Sequence, residues 1–326
     1  MESDSPPFRG NGEGNCRGPV NGGGRRWTAL ARACTVAAMT HTPSCIGWIG
    51  LGRIGLPMAR RLLGAGHALR VWSRRPEAAQ ALVVEGAVAV AGPEALARQC
   101  DVVCTIVGGP DDVLSLYRRM LPCARPGAIF LEMTTASPAT AARMQAPAAQ
   151  AGVCVLDCPV TGGVAGAQQG QLTHFAGGDA DALARSRPLL QTLATRVVHC
   201  GASGSGYRMK LINQTIVAGV LLGLADGAAL ARAAGFGGGE IAAALGAGTA
   251  SGRLFDAYIE RMVDGAGATT FTLALLRKDL QLAREDALAL RSSTRLVDFA
   301  LDCVAQAVGR FGTDAGVQCL AAPGAG

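Results

Sequence analysis

The sequence is poor in several features that mark particular classes of protein. Aromatic residues make up only 4% of it, and its basic residues form no long run, so nucleic-acid binding is not indicated. It has no Cys-x-x-Cys pair, and its four histidines lie near no pair of cysteines, which argues against zinc or another metal. The longest uncharged apolar run, 215–225, is too short to span a membrane. A structural or membrane role therefore has no feature in its favour.

The bulk composition is that of a globular protein. Hydrophobic residues make up 49% of the chain and charged residues 17%. The net charge of +6 is modest and suits an anionic cofactor or substrate. The eleven cysteines are odd in number and lie mostly in apolar runs, where cysteine acts as a small hydrophobe. A disulfide framework is not expected, and we predict a reducing, cytoplasmic location.

Lysine is almost absent, since Lys210 and Lys278 are the only lysines among 30 basic residues. An arginine keeps its charge, whereas a desolvated lysine can exchange a proton, so both positions are candidates for acid–base chemistry. The other interpretation is that these two lysines remain in an arginine-rich chain by chance and have no special role. Lys210, Asn213 and Gln214 stand at i, i+3 and i+4 of a predicted helix, and this shared face favours a polar site.

The chain divides into three parts. Residues 1–43 are rich in Gly and Arg, have no apolar period, and are predicted to be a disordered or misannotated extension. Over 44–203 strand-like runs alternate with helical stretches, which predicts βαβ units and a parallel sheet. Over 204–326 only helical periods remain. We predict an α/β domain and an all-α domain joined by a long interdomain helix.

The first predicted strand runs into a glycine-rich turn, Gly50-Leu51-Gly52-Arg53-Ile54-Gly55, and then a helix. In such a turn the first glycine permits a tight bend, the second lets backbone approach a pyrophosphate, and the third lets the helix pack on the strand. The free N–H groups of the helix start favour an anion. The motif alone is weak, but at the end of the first strand of a βαβ series it predicts a Rossmann-type dinucleotide-binding domain.

The second predicted strand ends in Ser73, Arg74 and Arg75. A site selective for NAD usually has Asp or Glu at this point to bind the ribose 2′-hydroxyl. Two arginines can instead bind a 2′-phosphate, so NADP is the preferred cofactor and NAD remains possible. The alternative is that both arginines are solvated turn residues.

Three further turns follow predicted strands. Val107 and Gly108 follow the fourth strand and Thr135 the fifth, at the sheet edge where ligands of open α/β sheets bind. Thr161, Gly162 and Gly163 offer a hydroxyl and backbone N–H groups that could hold a carboxylate. On local grounds an ordinary turn or helix cap explains the first two segments at least as well, and the third by itself is an ordinary loop.

Taken in order, these segments resemble the β-hydroxyacid dehydrogenase family, which includes 3-hydroxyisobutyrate dehydrogenase and tartronate semialdehyde reductase. The likeness covers about residues 45–320. It rests on the glycine-rich turn, on Asp-x-Pro-Val-Ser-Gly-Gly at 157–163 with Thr161 for Ser, on Gly-x-Gly-x-x-x-Lys-x-x-Asn at 204–213, and on Lys278-Asp279 with Phe271 seven residues earlier. Gln214 is the form of tartronate semialdehyde reductases, where many hydroxyisobutyrate enzymes have Asn. Arg53 and Ile54 stand where the family often has Met, and Glu132 where Asp is frequent.

The resemblance implies a role for each motif. Lys210 would be the general acid/base that protonates a substrate carbonyl while the nicotinamide delivers hydride. Thr161, Gly162 and Gly163 would bind the substrate carboxylate, and Asn213 and Gln214 would orient it. The glycine-rich turn, with Ser73, Arg74, Arg75, Val107, Gly108 and Thr135, would bind the cofactor, and Lys278 would reach it from a C-terminal domain like that of 6-phosphogluconate dehydrogenase.

The expected activity is interconversion of a small 3-hydroxy acid and its semialdehyde. Reduction of tartronate, glyoxylate or succinic semialdehyde is the alternative within the family. Imine reductases share the fold but usually lack the lysine. A non-catalytic dinucleotide-binding module is the competing class, and Lys210 disfavours it. The apolar helical half predicts a homodimer or homotetramer.

Overall fold

The computed structural model describes residues 45–265, 267 and 270–322, so the predicted extension at 1–43 lies outside the described part of the chain. Within that part, nine strands form one sheet. The strands are β1 (Ile46–Ile49), β2 (Leu69–Trp72), β3 (Val88–Ala89), β4 (Val102–Thr105), β5 (Ile129–Glu132), β6 (Cys154–Asp157), β7 (Val160–Thr161), β8 (Leu172–Gly177) and β9 (Ala194–Gly201).

The sheet order is β3-β2-β1-β4-β5-β6-β8-β7, and β9 also pairs with β8. Strands β1 to β6 are parallel to one another, whereas β8 is antiparallel to β6 and β7. Strands β1, β4 and β5 are buried along their whole length, and their sequences are apolar up to Thr105 and Glu132 at the carboxyl ends of β4 and β5, as expected for a sheet covered on both faces. The predicted βαβ series is confirmed, and the carboxyl ends of β1, β4, β5 and β6 meet at one edge.

Seven helices accompany the sheet within the described residues. Four of them begin with a proline at their first position, where the ring's fixed φ suits a helix start and the missing N–H removes no intrahelical hydrogen bond. The seven are α1 (Gly55–Gly64), α2 (Pro76–Val84), α3 (Pro93–Gln99), α4 (Pro110–Met120), α5 (Pro138–Gln150), α6 (Gly163–Gln169) and α7 (Ala180–Leu193).

The second half is helical, as predicted. It contains α8 (Ser205–Ala233), α9 (Gly238–Leu245), α10 (Arg253–Asp264), α11 (Leu273–Ala289), α12 (Arg295–Phe311) and a short 3₁₀ helix, Val317–Ala321. Helix α8 begins against the sheet and then packs on α10, α11 and α12 around an apolar core. The described residues form one compact unit, so the predicted boundary between residues 203 and 204 stays a prediction.

By length and composition alone, α8 would be able to cross a membrane. Its side chains Leu221, Ala225 and Ala228 are nevertheless fully buried among the neighbouring helices. A core helix passes the same test of length and apolar content, so this feature is weak support for a membrane span.

The stretch after Asp157 differs from the prediction of a loop. Val160 and Thr161 form a two-residue strand, and helix α6 starts at Gly163. The strand is too short to show an alternating pattern, and the helix is rich in glycine and alanine, so neither carries a clear periodic signal.

Candidate functional site

The glycine-rich turn joins β1 to α1. Gly50 has φ +101°, and a Cβ there would lie 1.8 Å from the carbonyl oxygen of Ile106. A Cβ on Gly55 would lie 2.0 Å from the carbonyl oxygen of Gly50. A Cβ on Gly52, in contrast, would meet nothing within 4 Å. The outer glycines are therefore needed for packing, and Gly52 borders open space in front of the start of α1.

This open space suits an anionic group. Helix α1 has no side-chain cap and no acidic residue in its first turn, so no carboxylate offsets the positive end of the helix dipole there. The Leu56 N–H is already bonded to the Gly52 carbonyl oxygen, so the dipole and the neighbouring arginines supply the positive character. The adjoining groove is lined by Leu51, Gly52, Arg53, Leu56, Pro57, Arg60, Arg61, Arg75 and Gln168. A dinucleotide pyrophosphate fits the charge and the free space of this cradle.

The two arginines after β2 differ in their surroundings. Arg75 lines the groove, and its backbone N–H donates to Ser73 Oγ at 3.1 Å. Arg74 forms an ion pair with Asp112 on α4, with 2.9 Å between Nη1 and Oδ1. A Cβ on Gly108 would lie 2.5 Å from Asp112 Oδ2, so this ion pair lies beside the turn after β4. The sequence placed both arginines in one role, and the structure separates them.

The turns after β4 and β5 are joined to each other and to α11. The Val107 N–H donates to Thr134 Oγ1 at 2.8 Å. Lys278 Nζ donates to the carbonyl oxygen of Thr135 at 2.9 Å, and a Cβ on Gly109 would lie 3.4 Å from Lys278 Cδ. The structure thus brings Lys278 to the two turns predicted to bind the cofactor.

The start of α8 is inserted between β6 and β8. A Cβ on Gly206 would lie 2.4 Å from the carbonyl oxygens of both Asp157 and Phe175, so no larger residue fits without a shift. Asp157 accepts the Gly204 N–H at 2.7 Å and the Tyr207 N–H at 2.9 Å. Burial raises the pKa of Asp157, and these N–H donors oppose that rise. Asp157 therefore caps the helix that carries Lys210.

Lys210 lies in a polar chain of side chains. It is 7% exposed, and its Nζ donates to Gln214 Oε1 at 2.8 Å. The same oxygen accepts Asn213 Nδ2 at 2.9 Å. Gln214 Nε2 donates to Asp279 Oδ2 at 2.7 Å, and Asp279 Oδ1 lies 3.0 Å from Lys278 Nζ. Both lysines of the chain are therefore linked through Gln214 and Asp279.

The position of Lys210 changes its acidity. Burial lowers the pKa of Lys210 to about 8, while the Asp279 carboxylate opposes this shift and the Lys278 charge adds to it. An amine with this pKa exists in both protonation states near neutral pH, so it can give a proton or take one.

Asp279 is part of the candidate site, which its sequence motif did not predict. A carboxylate only accepts hydrogen bonds, so it requires the Gln214 amide to turn its NH₂ group toward α11 and its oxygen toward Lys210. The available signal was its position directly after Lys278, on the leucine-rich buried face of an amphipathic helix.

The turn predicted to bind a carboxylate, residues 161–163, lies between β7 and α6 and not on the helices that carry Lys210 and Lys278. Thr161 pairs with Thr173 of β8, and Gly162 and Gly163 have φ values of +130° and +65° before α6. Strand β8 also packs against α8, so it connects this turn to the helix of Lys210.

Two family models match the chain in succession. The NAD binding domain of 6-phosphogluconate dehydrogenase matches residues 45–201, and the NAD-binding domain of NADP-dependent 3-hydroxyisobutyrate dehydrogenase matches 204–323. The chain belongs to the β-hydroxyacid dehydrogenase family. As a member of this family it is an oxidoreductase that uses a nicotinamide dinucleotide.

Individual relatives cover nearly the whole described chain. A probable 3-hydroxyisobutyrate dehydrogenase of Mycobacterium bovis is 33% identical over 80% of this chain and 91% of its own. An NAD-dependent L-serine dehydrogenase of Pseudomonas aeruginosa is 34% identical over 78% of this chain and 89% of its own. A structure of 3-hydroxyisobutyrate dehydrogenase from Mycobacterium tuberculosis with L-serine aligns with a TM-score of 0.77 at 28% identity, covering 86% of this chain and 98% of that one.

Proposed function

We propose that this β-hydroxyacid dehydrogenase interconverts a small 3-hydroxy acid resembling 3-hydroxyisobutyrate and its semialdehyde, with Lys210 as general acid/base. The observation that carries the proposal is the buried Lys210, whose pKa is about 8 and whose partner Gln214 is bonded to Asp279 beside Lys278. The Lys278 contact with Thr135 places this polar chain next to the turns proposed to bind the cofactor.

Each group has a proposed task. The bound nicotinamide would supply or accept the hydride. Lys210 would donate a proton to the carbonyl oxygen during reduction and take the hydroxyl proton during oxidation. Asn213 and Gln214 would orient the substrate, and Thr161, Gly162 and Gly163 would hold its carboxylate. The turn Gly50–Gly55 would bind the pyrophosphate, and Val107, Gly108, Thr135 and Lys278 would bind the nicotinamide half.

The substrate panel that tests this proposal contains hydroxy acids and semialdehydes. We expect oxidation of 3-hydroxyisobutyrate and reduction of methylmalonate semialdehyde to have the highest kcat/KM. L-Serine is included because it is also a 3-hydroxy acid and relatives of this chain bind or oxidise it. Tartronate semialdehyde, glyoxylate and succinic semialdehyde represent the substrates of the alternative reductases. Cofactor binding without turnover of any member would favour a non-catalytic dinucleotide-binding module.

The pH dependence follows from the pKa of Lys210. Oxidation needs the neutral amine, so its rate should rise as the pH increases through about 8, and reduction should fall over the same range. The negative charge of Asp279 raises the pKa of Lys210. Asp279→Asn should therefore shift the pH dependence of both the oxidation rate and the reduction rate to lower pH by about one pH unit.

A matched control for this shift lies two turns further along α11. Asp286 also bonds to α8, through Arg208 at 2.9 Å, so Asp286→Asn removes a similar ion pair. Rate profiles of the three proteins in both directions check the expectation. This electrostatic role for Asp279 would be contradicted if the midpoint pH of the Asp279→Asn profiles equalled that of the wild type, or if both variants shifted by the same amount.

The cofactor preference is proposed to be NADP, with NAD possible. Arg75 lines the groove and is free of the Asp112 ion pair that holds Arg74. We expect Arg75→Ala to weaken NADPH binding by about tenfold or more and to leave NADH binding within about twofold, since a charge-assisted bond to the 2′-phosphate is lost. Arg74→Ala should have the smaller effect. Fluorescence titration of both variants with both cofactors checks this, and equal losses for NADH and NADPH would rule out 2′-phosphate recognition.

We propose that a second copy of the chain covers an apolar face of α8. Ile212, Ile216 and Val220 are exposed at helical spacing, and Ile216 is 62% exposed. Gly223 and Gly227 continue this face, and a Cβ on either would meet nothing within 4 Å. Exposed apolar faces of this length are typical of subunit interfaces, and the glycines let another helix approach closely.

The interface is tested by a charge at its centre. Ile216→Glu should shift the mass measured by light scattering from a dimer or tetramer toward a monomer. Val84→Glu, at an apolar position on α2 that is more exposed than Ile216, serves as the control and should keep the wild-type mass. A monomeric wild type, or equal dissociation of both variants, would remove α8 as the interface.

We also propose a cellular location and a domain organisation for this enzyme. A cytoplasmic enzyme without a nucleic-acid or membrane partner fits a mild, scattered charge and nine free cysteines among the described residues. We retain two domains, 44–203 and 204–326, as the proposed organisation. Limited proteolysis followed by mass determination would test that boundary.

A further inference from the structure

Glu132 is a fully buried carboxyl group at the carboxyl end of β5. Its Oε1 accepts the Thr134 N–H at 3.1 Å and the Thr105 hydroxyl at 3.3 Å, and its Oε2 accepts the Tyr207 hydroxyl. A buried ionisable group normally requires such partners, and a hydrophobic residue of similar volume would avoid the desolvation penalty. The three donors belong to three different segments of the chain.

Each of these segments leads to the proposed site. Thr134 also accepts the Val107 N–H, so it joins Glu132 to the turn after β4 as well as to the turn of Thr135. Tyr207 lies three residues before Lys210 and is buried on the same face of α8. A single carboxyl group therefore connects the proposed cofactor turns to the helix that carries the proposed acid/base.

We infer that Glu132 is a positioning residue that holds Lys210 at a fixed distance from the cofactor turns through its bond to Tyr207. This inference rests on the proposed function. Asp157 anchors the backbone of α8 at Gly204 and Tyr207, and the bond to Glu132 also fixes the side chain of Tyr207. A displacement of about 1 Å at Lys210 would lower the rate by up to about 100-fold without removing any reacting group.

The ionised form of Glu132 fits this arrangement better than the neutral form. A carboxylate accepts from all three donors, whereas a protonated carboxyl group carries an O–H that competes with one of them. Burial raises the pKa of Glu132 to about 7, and the bonds from Thr134, Tyr207 and Thr105 oppose the rise. Turnover should therefore decline as the pH falls through about 7, in addition to the Lys210 limb near 8.

Other titratable groups surround Glu132. Tyr117 of α4 and Tyr207 of α8 have pKa values raised well above normal by burial, as does Cys158 beyond β6, so all three stay neutral. Asp157 at the end of β6 is the other carboxyl group close enough to affect these tyrosines, and burial also raises its pKa. An acidic limb can therefore arise from Glu132 or from Asp157, and variants separate the two.

The test compares two buried tyrosines. Tyr207→Phe removes the bond to Glu132, whereas Tyr117→Phe removes only a hydroxyl contact with Thr105 at 3.4 Å. We expect Tyr207→Phe to lower kcat about tenfold or more, with the NADPH dissociation constant within about twofold of wild type. Tyr117→Phe should keep both parameters within about twofold. Equal effects of the two substitutions would overturn the inference.

A second variant tests whether Glu132 must be ionised. Glu132→Gln is neutral at every pH, so in the reductive direction, where protonated Lys210 adds no acidic limb, its kcat profile should lack the limb near pH 7 that the wild type has. Persistence of that limb in Glu132→Gln would show that another group causes it and would overturn the ionisation argument. Lys210→Ala is measured alongside: if it retains turnover, the proposed function fails, whereas its collapse with a silent Tyr207→Phe would reject only the positioning role.

Discussion

Lys210→Met should lower kcat by about 10²- to 10⁴-fold, the range attributed to a single positioned acid/base group. Methionine keeps the length and apolar stem of lysine in a site that is only 7% exposed, so the fold should survive the change. The NADPH dissociation constant should stay within about threefold of wild type, because Lys278 rather than Lys210 contacts the turn at Thr135. Steady-state kinetics in both directions and fluorescence titration measure these quantities.

Arg208→Met is the matched control for this loss. Arg208 lies two residues earlier on α8, and its guanidinium pairs with Asp286 at the helix surface. Its loss should change kcat less than about threefold. Wild-type turnover in Lys210→Met would show that another group moves the proton, and a comparable loss in Arg208→Met would point to general damage to α8.

Gly52→Ala should reduce dinucleotide affinity by at least about tenfold without lowering the melting temperature. Its Cβ would enter the open space in front of α1, where it meets no protein atom within 4 Å but would displace a bound pyrophosphate. Gly50→Ala should show the opposite pattern. Its Cβ would lie 1.8 Å from Ile106 oxygen at a φ of +101°, which should lower the melting temperature by roughly 5–10 °C.

Thermal unfolding and cofactor titration of the two glycine variants separate folding from binding. Equal destabilisation by both substitutions would contradict the difference in free space around the two glycines. Wild-type affinity in Gly52→Ala would place the pyrophosphate elsewhere in the groove.

Much of the fold could be predicted because its signals are local. The prolines Pro76, Pro93, Pro110 and Pro138 start helices after strands, and the apolar runs of β1, β4 and β5 mark a sheet covered on both faces. The glycine-rich turn also depends on neighbouring residues alone. Local signals of this kind predict the α/β half, the helical half and the helix that carries Lys210.

The rest depended on contacts between distant residues. Arg74 and Arg75 are equivalent in sequence, and only the ion pair with Asp112 on α4 distinguishes them. Asp279 acquires its role from Gln214, 65 residues earlier, and Glu132 from Tyr207, 75 residues later. No periodic pattern encodes which face of one helix meets which strand, so these partners emerge only from the packed structure.

The scarcity of lysine makes the proposed site chemically addressable. The chain has two side-chain amines, and both approach Asp279. An amine-selective acylating reagent would therefore modify the region of catalysis rather than a scattered surface. Of the two amines, Lys278 has a quarter of its side chain exposed, and Lys210 has the larger neutral, nucleophilic fraction at pH 8. Arginine elsewhere keeps the surface charged and leaves it inert toward such reagents.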